Sequence, residues 1–142
     1  MRRYGRGALI GYCLLILTAA VAARADDFEA RQELKPERVL SGNTFFAAGK
    51  IISLWGVTVP DADPEIAAEA QLFLESMLFH GQLRCIPVRK RDGMSVMHCY
   101  IDDRDIGDLL VRLGLATAKD PFYADAQEQA KRDKVGMWKS RH

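Results

Sequence analysis

Few side chains in this sequence are equipped for chemistry, and their spacing limits what that chemistry is. His80, His98 and His142 share no metal-ligand spacing with one another or with the cysteines. His98, beside Cys99, reads as a packed or half-exposed strand residue. The run Asp102-Asp103-Arg104-Asp105 holds oxygen ligands of the kind calcium takes, but without the spacing of a calcium loop. It reads instead as the end of a hairpin and the start of a helix. Arg89-Lys90-Arg91 is the densest basic cluster. It suits contact with a phosphate backbone, and equally a solvated hairpin tip. No Gly-x-Ser-x-Gly, Cys-x-x-Cys or phosphate loop is present.

Cys85 and Cys99 form the other reactive pair. The stretches from Gln82 to Arg89 and from Met94 to Ile101 read as two strands joined near Arg91-Asp92-Gly93. A three-residue loop with Gly93 in the left-handed position sets Cys85 opposite Cys99, within the reach of a disulfide. A two-residue turn would shift the register by one and break that pairing. Two buried free thiols are the alternative, since cysteine also packs as a small hydrophobe.

The compartment follows from the N-terminus. Arg2, Arg3 and Arg6 precede a mostly apolar run from Ala8 to Ala23, and Ala23-Arg24-Ala25 offers small residues before Asp26. This is a signal-peptide pattern with cleavage after Ala25, which predicts a periplasmic or secreted protein with no membrane span once the leader is removed. An uncleaved anchor is the alternative, though the run is short for a span. Four of the 20 basic residues lie in the leader and none of the 19 acidic ones, so the mature chain carries 16 against 19, a net charge of −3. That balance gives no global attraction to nucleic acid and leaves only local patches to supply it.

The elements that must position these residues follow in order. Residues 26–35 are polar and read as a loose N-terminal arm, and 36–142 as one domain. Pro36 to Leu40, Thr44 to Ala48 and a stretch beginning at Ile51 read as a meander of three strands. In the third, Ile52 and Leu54 alternate with Ser53 and Trp55. Gly56 marks a bend or a close backbone approach, and Pro60 ends the strand. Asp63-Pro64 reads as a helix cap and first position, with Ile66, Ala70, Phe73, Leu74, Met77 and Leu78 as the inner face and Gly81 as the stop. Asp105 and Asp108 resemble a capping box for a short helix running through Leu113 to Gly114. Asp120-Pro121 opens a last helix from about Phe122 to Val135, stopped by Gly136. Five strands, a helix between the third and fourth, and two terminal helices make an α+β chain with the connectivity of an OB-fold β-barrel.

The stretch Ile52-Ser53-Leu54-Trp55-Gly56-Val57-Thr58-Val59-Pro60-Asp61 resembles the strand Ile-Arg-Leu-x-Gly-Ile-Asp-x-Pro-Glu of the thermonuclease (micrococcal-nuclease-like) family. Ser41-Gly42-Asn43-Thr44 stands where that family has Asp-Gly-Asp-Thr. Gly114-Leu115-Ala116, Gln129-Ala130-Lys131 and Gly136-Met137-Trp138 match its C-terminal motifs, with Trp138 expected to pack the last helix onto the barrel. The likeness covers about Val39 to Trp138. It implies cleavage of phosphodiesters by a water beside a calcium ion, with two metal aspartates, a glutamate near the water and two arginines on the phosphoryl group.

Carried over by position, the metal aspartates fall on Asn43 and Thr58, the glutamate on Asp61 and the arginines on Ser53 and Met94. Asn43 and Thr58 are uncharged, Ser53 is short and neutral, and Asp61 is shorter than glutamate by about 1.5 Å. Losing one preorganised donor from such a site costs on the order of 10²–10³ in rate. The expectation is a non-catalytic binding module for nucleic acid or an envelope protein, with no cofactor. The alternative is a nuclease with residual or altered metal-dependent activity around Asp61, Asn43 and Thr58, using calcium. Arg89, Lys90 and Arg91 are the expected nucleic-acid contacts.

Overall fold

The structure is a computed structural model and describes residues 31–140; the expected leader, its cleavage site, residues 26–30 of the arm and His142 lie outside the described residues. Strands β1 (Gln32–Glu33), β2 (Pro36–Ser41), β3 (Thr44–Ala47), β4 (Lys50–Leu54) and β5 (Val57–Thr58) precede helix α1 (Pro64–His80). Then come β6 (Leu83–Arg91), β7 (Met94–Ile101), β8 (Arg104–Asp105), α2 (Ile106–Arg112), β9 (Thr117–Ala118) and α3 (Ala124–Asp133). The main sheet has the order β1-β6-β7-β4-β3-β2, with β8 on β7, and β5 pairs separately with β9. All pairings are antiparallel except β4 with β7, which the α1 crossover makes parallel. The two ends of the sheet, β1 and β2, belong to one run of chain broken at Leu34-Lys35. No ladder joins them, so the sheet is OB-like in order and connectivity but is not closed by hydrogen bonds. The arm is thus partly ordered: Gln32 and Glu33 pair with Cys85 and Arg84.

Four two-residue strands, β1, β5, β8 and β9, join the five long ones expected, because such short pairings leave no periodic signal. The stretch read as one strand from Ile51 breaks at Trp55-Gly56, where Gly56 takes a φ of 74°. A side chain at that position would lie 2.8 Å from the ring of Tyr123, so the glycine permits both the bend and the approach.

Asp63 caps α1 as its sequence predicts, accepting from the Ile66 amide at 3.3 Å, and Gly81 ends the helix. Ile66, Ala70, Leu74 and Leu78 form its buried stripe. Ala70 comes so close to the β2–β3 turn that a Cβ on Gly42 would lie 2.5 Å from its methyl. Asp105 caps α2 through the Asp108 amide, but the box is half-made: the Asp108 carboxylate accepts from Arg112 instead. The last helix ends at Asp133 rather than Val135, since Lys134 turns left-handed (φ 52°), and its start is a 3₁₀ turn over Pro121–Tyr123. Met137 packs against the core, whereas Trp138 is half-buried with the Lys131 Nζ 5.2 Å from its ring.

The β6–β7 hairpin corrects the sequence reading in an instructive way. The loop is two residues, Asp92-Gly93, with φ of 49° and 77°, and pairs Arg91 with Met94. That register alone would separate the cysteines. A bulge between Pro87 and Arg89, where proline lacks the amide a ladder needs, shifts it back by one. Cys85 therefore still faces Cys99, and the two form a buried disulfide with Cα atoms 4.1 Å apart. The pairing holds for a reason other than the loop length expected. Removing it by reduction or by Cys85→Ala with Cys99→Ala lowers stability by about 3 kcal/mol, the value for a closed loop of about 15 residues. A denaturation midpoint that did not move would contradict this.

Candidate functional site

The five positions singled out by motif, spread over the sequence from 43 to 94, line one cleft of about 520 Å³. Asn43 comes from the β2–β3 turn, Ser53 from β4, Thr58 from β5, Asp61 from the loop before α1, and Met94 from the first position of β7. The sheet register does this. Ser53 pairs with Thr44 on one side and Val96 on the other, and the Leu54 amide donates to the Asn43 carbonyl at 2.9 Å. Thr58 is held by its pairing with Thr117 on β9.

The cleft contains cations that the motif comparison did not supply. Arg89 and Arg91, alternating on β6, both line it, as does Lys119 after β9. The Lys119 and Asp120 amides both donate to the Gly56 carbonyl, at 2.8 and 3.1 Å. Lys119 thus reaches the cleft through a short strand pairing that sequence reasoning missed. Arg91 is paired with Asp92 at 3.3 Å, and Asp120 caps the 3₁₀ turn through the Phe122 amide. Arg89, Lys119 and Asp61 form no ion pair or side-chain hydrogen bond among the described residues. Three cations (Arg89, Arg91, Lys119) and three carboxylates (Asp61, Asp92, Asp120) face the same space.

Calcium is the ion the thermonuclease resemblance implies. It takes six to eight oxygens, typically with several carboxylates. Here the Asn43 side-chain oxygen accepts from the hydroxyls of Ser41 (3.2 Å) and Thr44 (3.4 Å), and its amide nitrogen donates to the Val57 carbonyl. Asp61 is the one carboxylate among the five motif positions. Among the described residues no three His, Cys, Asp or Glu side chains form a metal-binding group. That donor set does not suit a calcium ion.

A second cleft, of about 610 Å³, lies between the tip of the β3–β4 hairpin (Ala48-Gly49) and that of β6–β7. Phe46 and Ile51 line its apolar part and Lys50, Lys90 and Arg91 its charged part. The two clefts share Arg91 and Asp92. The basic run Arg89-Lys90-Arg91 is therefore divided between them: Arg89 borders the first, Lys90 the second and Arg91 both.

Behind Trp55, which lines the first cleft, lies a polar network that the sequence did not disclose. His98 Nε2 donates to Asp105 at 2.6 Å, and its Nδ1 is hydrogen-bonded to the Tyr100 hydroxyl at 3.2 Å. The Tyr123 hydroxyl donates to Asp105 at 3.1 Å. Burial, then the adjacent Asp105 charge, pushes the Tyr123 phenol far above its ordinary value, so it stays a neutral donor. Both imidazole nitrogens are satisfied, and Trp55 packs 5.0 Å from the His98 ring. The network is closed, and it fixes Trp55 at the cleft wall. His80, the other described histidine, donates to the Ser76 carbonyl at the end of α1. The acidic run is likewise used up: Asp102 accepts from the Gln82 amide and Asp103 pairs with Arg31 and Arg84.

A family model described as staphylococcal nuclease homologue matches residues 51–140, a span holding all of the cleft positions except Asn43 and Thr44. No curated protein matches the chain significantly.

Proposed function

The chain belongs to the staphylococcal nuclease homologue family, and from that premise we propose that it is an exported nucleic-acid-binding module that keeps the family's barrel without cutting its ligand. The observation that carries this reading is the cleft itself. The five motif positions line it together, yet Asn43, Ser53, Thr58 and Met94 stand in place of charged groups that cleavage requires, and only the shorter carboxylate Asp61 keeps a charge. Phosphate-binding cations are supplied instead by Arg89 and Lys119, which have no ion partner among the described residues, and by Arg91, which shares its charge with Asp92; such groups bind a phosphate without a metal. Export is supported by the leader pattern and by the Cys85–Cys99 disulfide, a bond that persists in oxidising compartments. Among the described residues no helix is long and apolar enough to cross a membrane.

One observation favours a second reading, a residual phosphodiesterase. Asp61 shares its cleft with two arginines borne on β6 rather than at the family's positions. Asp61→Asn separates the two. For a binding module, removing this exposed anion tightens retention of single-stranded DNA or RNA by a few-fold at low salt, about what one exposed charge contributes. For a residual nuclease, the same change abolishes cleavage. Calorimetric titration with calcium gives no heat on the first reading, and a saturable heat contradicts it.

A further inference from the structure

The second cleft has the composition of a nucleic-acid contact and lies outside the family's motif positions. Phe46 and Ile51 pair across β3–β4 on the outer face of the sheet, with Ile51 38% exposed. The guanidinium of Arg38 sits 5.5 Å from the Phe46 ring centre. Lys50 and Lys90 stand at the two hairpin tips, and neither forms an ion pair among the described residues. Asp92 is the one acid lining this cleft, and it is paired with Arg91. An apolar, aromatic floor with a rim of free cations matches a sugar-phosphate strand: phosphates on the rim, and a base on the ring, whose stacking is indifferent to sequence. OB barrels use this face, formed by their second and third strands and the loop between the fourth and fifth.

We infer that one single-stranded nucleic acid occupies both clefts, crossing the β6–β7 tip at Arg91, with a base stacked on Phe46 and phosphates on Lys50 and Lys90. This rests on the reading that the module binds nucleic acid, and it adds a path and a strand type. Among the described residues Arg91 is the one cation bordering both clefts, which makes it the crossing point. A duplex is the poorer occupant, because its bases are not available to the ring.

The test is binding of the purified protein to fluorescent oligothymidylates of about 4 and about 16 nucleotides, the limits for one OB fold. Lys50→Glu with Lys90→Glu is expected to weaken the long strand by about tenfold or more. It should also flatten that strand's dependence on log salt by about 1.4, at about 0.7 per phosphate contact, and weaken the short strand, which spans one cleft at most, by less. Phe46→Ala is expected to weaken the long strand by about five- to a hundredfold while leaving inorganic polyphosphate, which has no bases, unaffected. All three sites are at the surface or half-buried, and a thermal midpoint confirms folding. If both strands bind the wild type equally and the double variant changes neither, the two-cleft path is wrong while the binding module stands. Competition by poly-glutamate as effective as by the long strand would also overturn it, in favour of an acidic protein. If no oligonucleotide binds at low salt, the module reading fails and this inference with it.

Discussion

Arg89→Glu combined with Lys90→Glu abolishes retention of single-stranded nucleic acid, weakening it by at least about a hundredfold at low salt. The two residues are consecutive on β6, but their side chains serve different clefts, so one double variant strikes both. Each reversal removes a favourable phosphate contact and leaves a carboxylate in its place, and like charges at an interface cost several kcal/mol. Both side chains are exposed and without ion partners among the described residues, so the fold should be untouched. Filter binding across a salt series, alongside a thermal melt, measures the effect. Retention equal to wild type with an unchanged melt would move the binding surface elsewhere on the molecule.

Gly114→Ala is expected to cost the fold about 3 kcal/mol or more. Gly114 has a φ of 67°, a conformation in which an alanine is strained by about 1–2 kcal/mol. Its Cβ would also lie 2.3 Å from the Val135 carbonyl oxygen, and backbone cannot swing aside as a side-chain tip can. Overpacking adds about 1–3 kcal/mol. The control is Gly49→Ala, whose φ of 71° is similar but whose Cβ would meet nothing within 4 Å. That variant should pay the strain alone. Denaturant unfolding of the two compares them directly, and equal losses would show that the close approach at Gly114 contributes nothing.

The same glycine shows how far the sequence was legible. Gly114-Leu115-Ala116 and Gly136-Met137-Trp138 read as two separate family motifs, and the barrel they announce is present. The structure shows that they are one joint: the Met137 amide donates to the Gly114 carbonyl, and a Cβ on Gly136 would lie 2.3 Å from that oxygen. Caps and apolar stripes are local, so Asp63, Asp105 and the face of α1 could be placed from sequence. The disulfide was placed correctly although the loop was read one residue too long, because the bulge at Pro87 offset it. A proline within a strand was the signal available for that bulge.

The site was legible where motifs carried it and obscure where tertiary pairing did. Asn43, Ser53, Thr58, Asp61 and Met94, picked out by motif, line one cleft. Lys119 enters through a two-residue ladder with no sequence signature, and Trp55 is set by His98, Asp105 and Tyr123, which lie on three different elements. No spacing rule links residues so far apart. The bend at Gly56 was the single local clue, since a strand interrupted by glycine beside a tryptophan implies a close neighbour.

The account turns on whether the cleft binds without cutting, and one experiment reads both. The purified protein is incubated with single-stranded DNA, RNA and duplex DNA in the presence of calcium, and retention and cleavage are scored in the same samples. Retention of single strands with cleavage no higher than in buffer is the predicted result. Cleavage above background that disappears in the Asp61→Asn variant would contradict it, and would mean that Asp61 and the displaced arginines of β6 still carry the family's reaction.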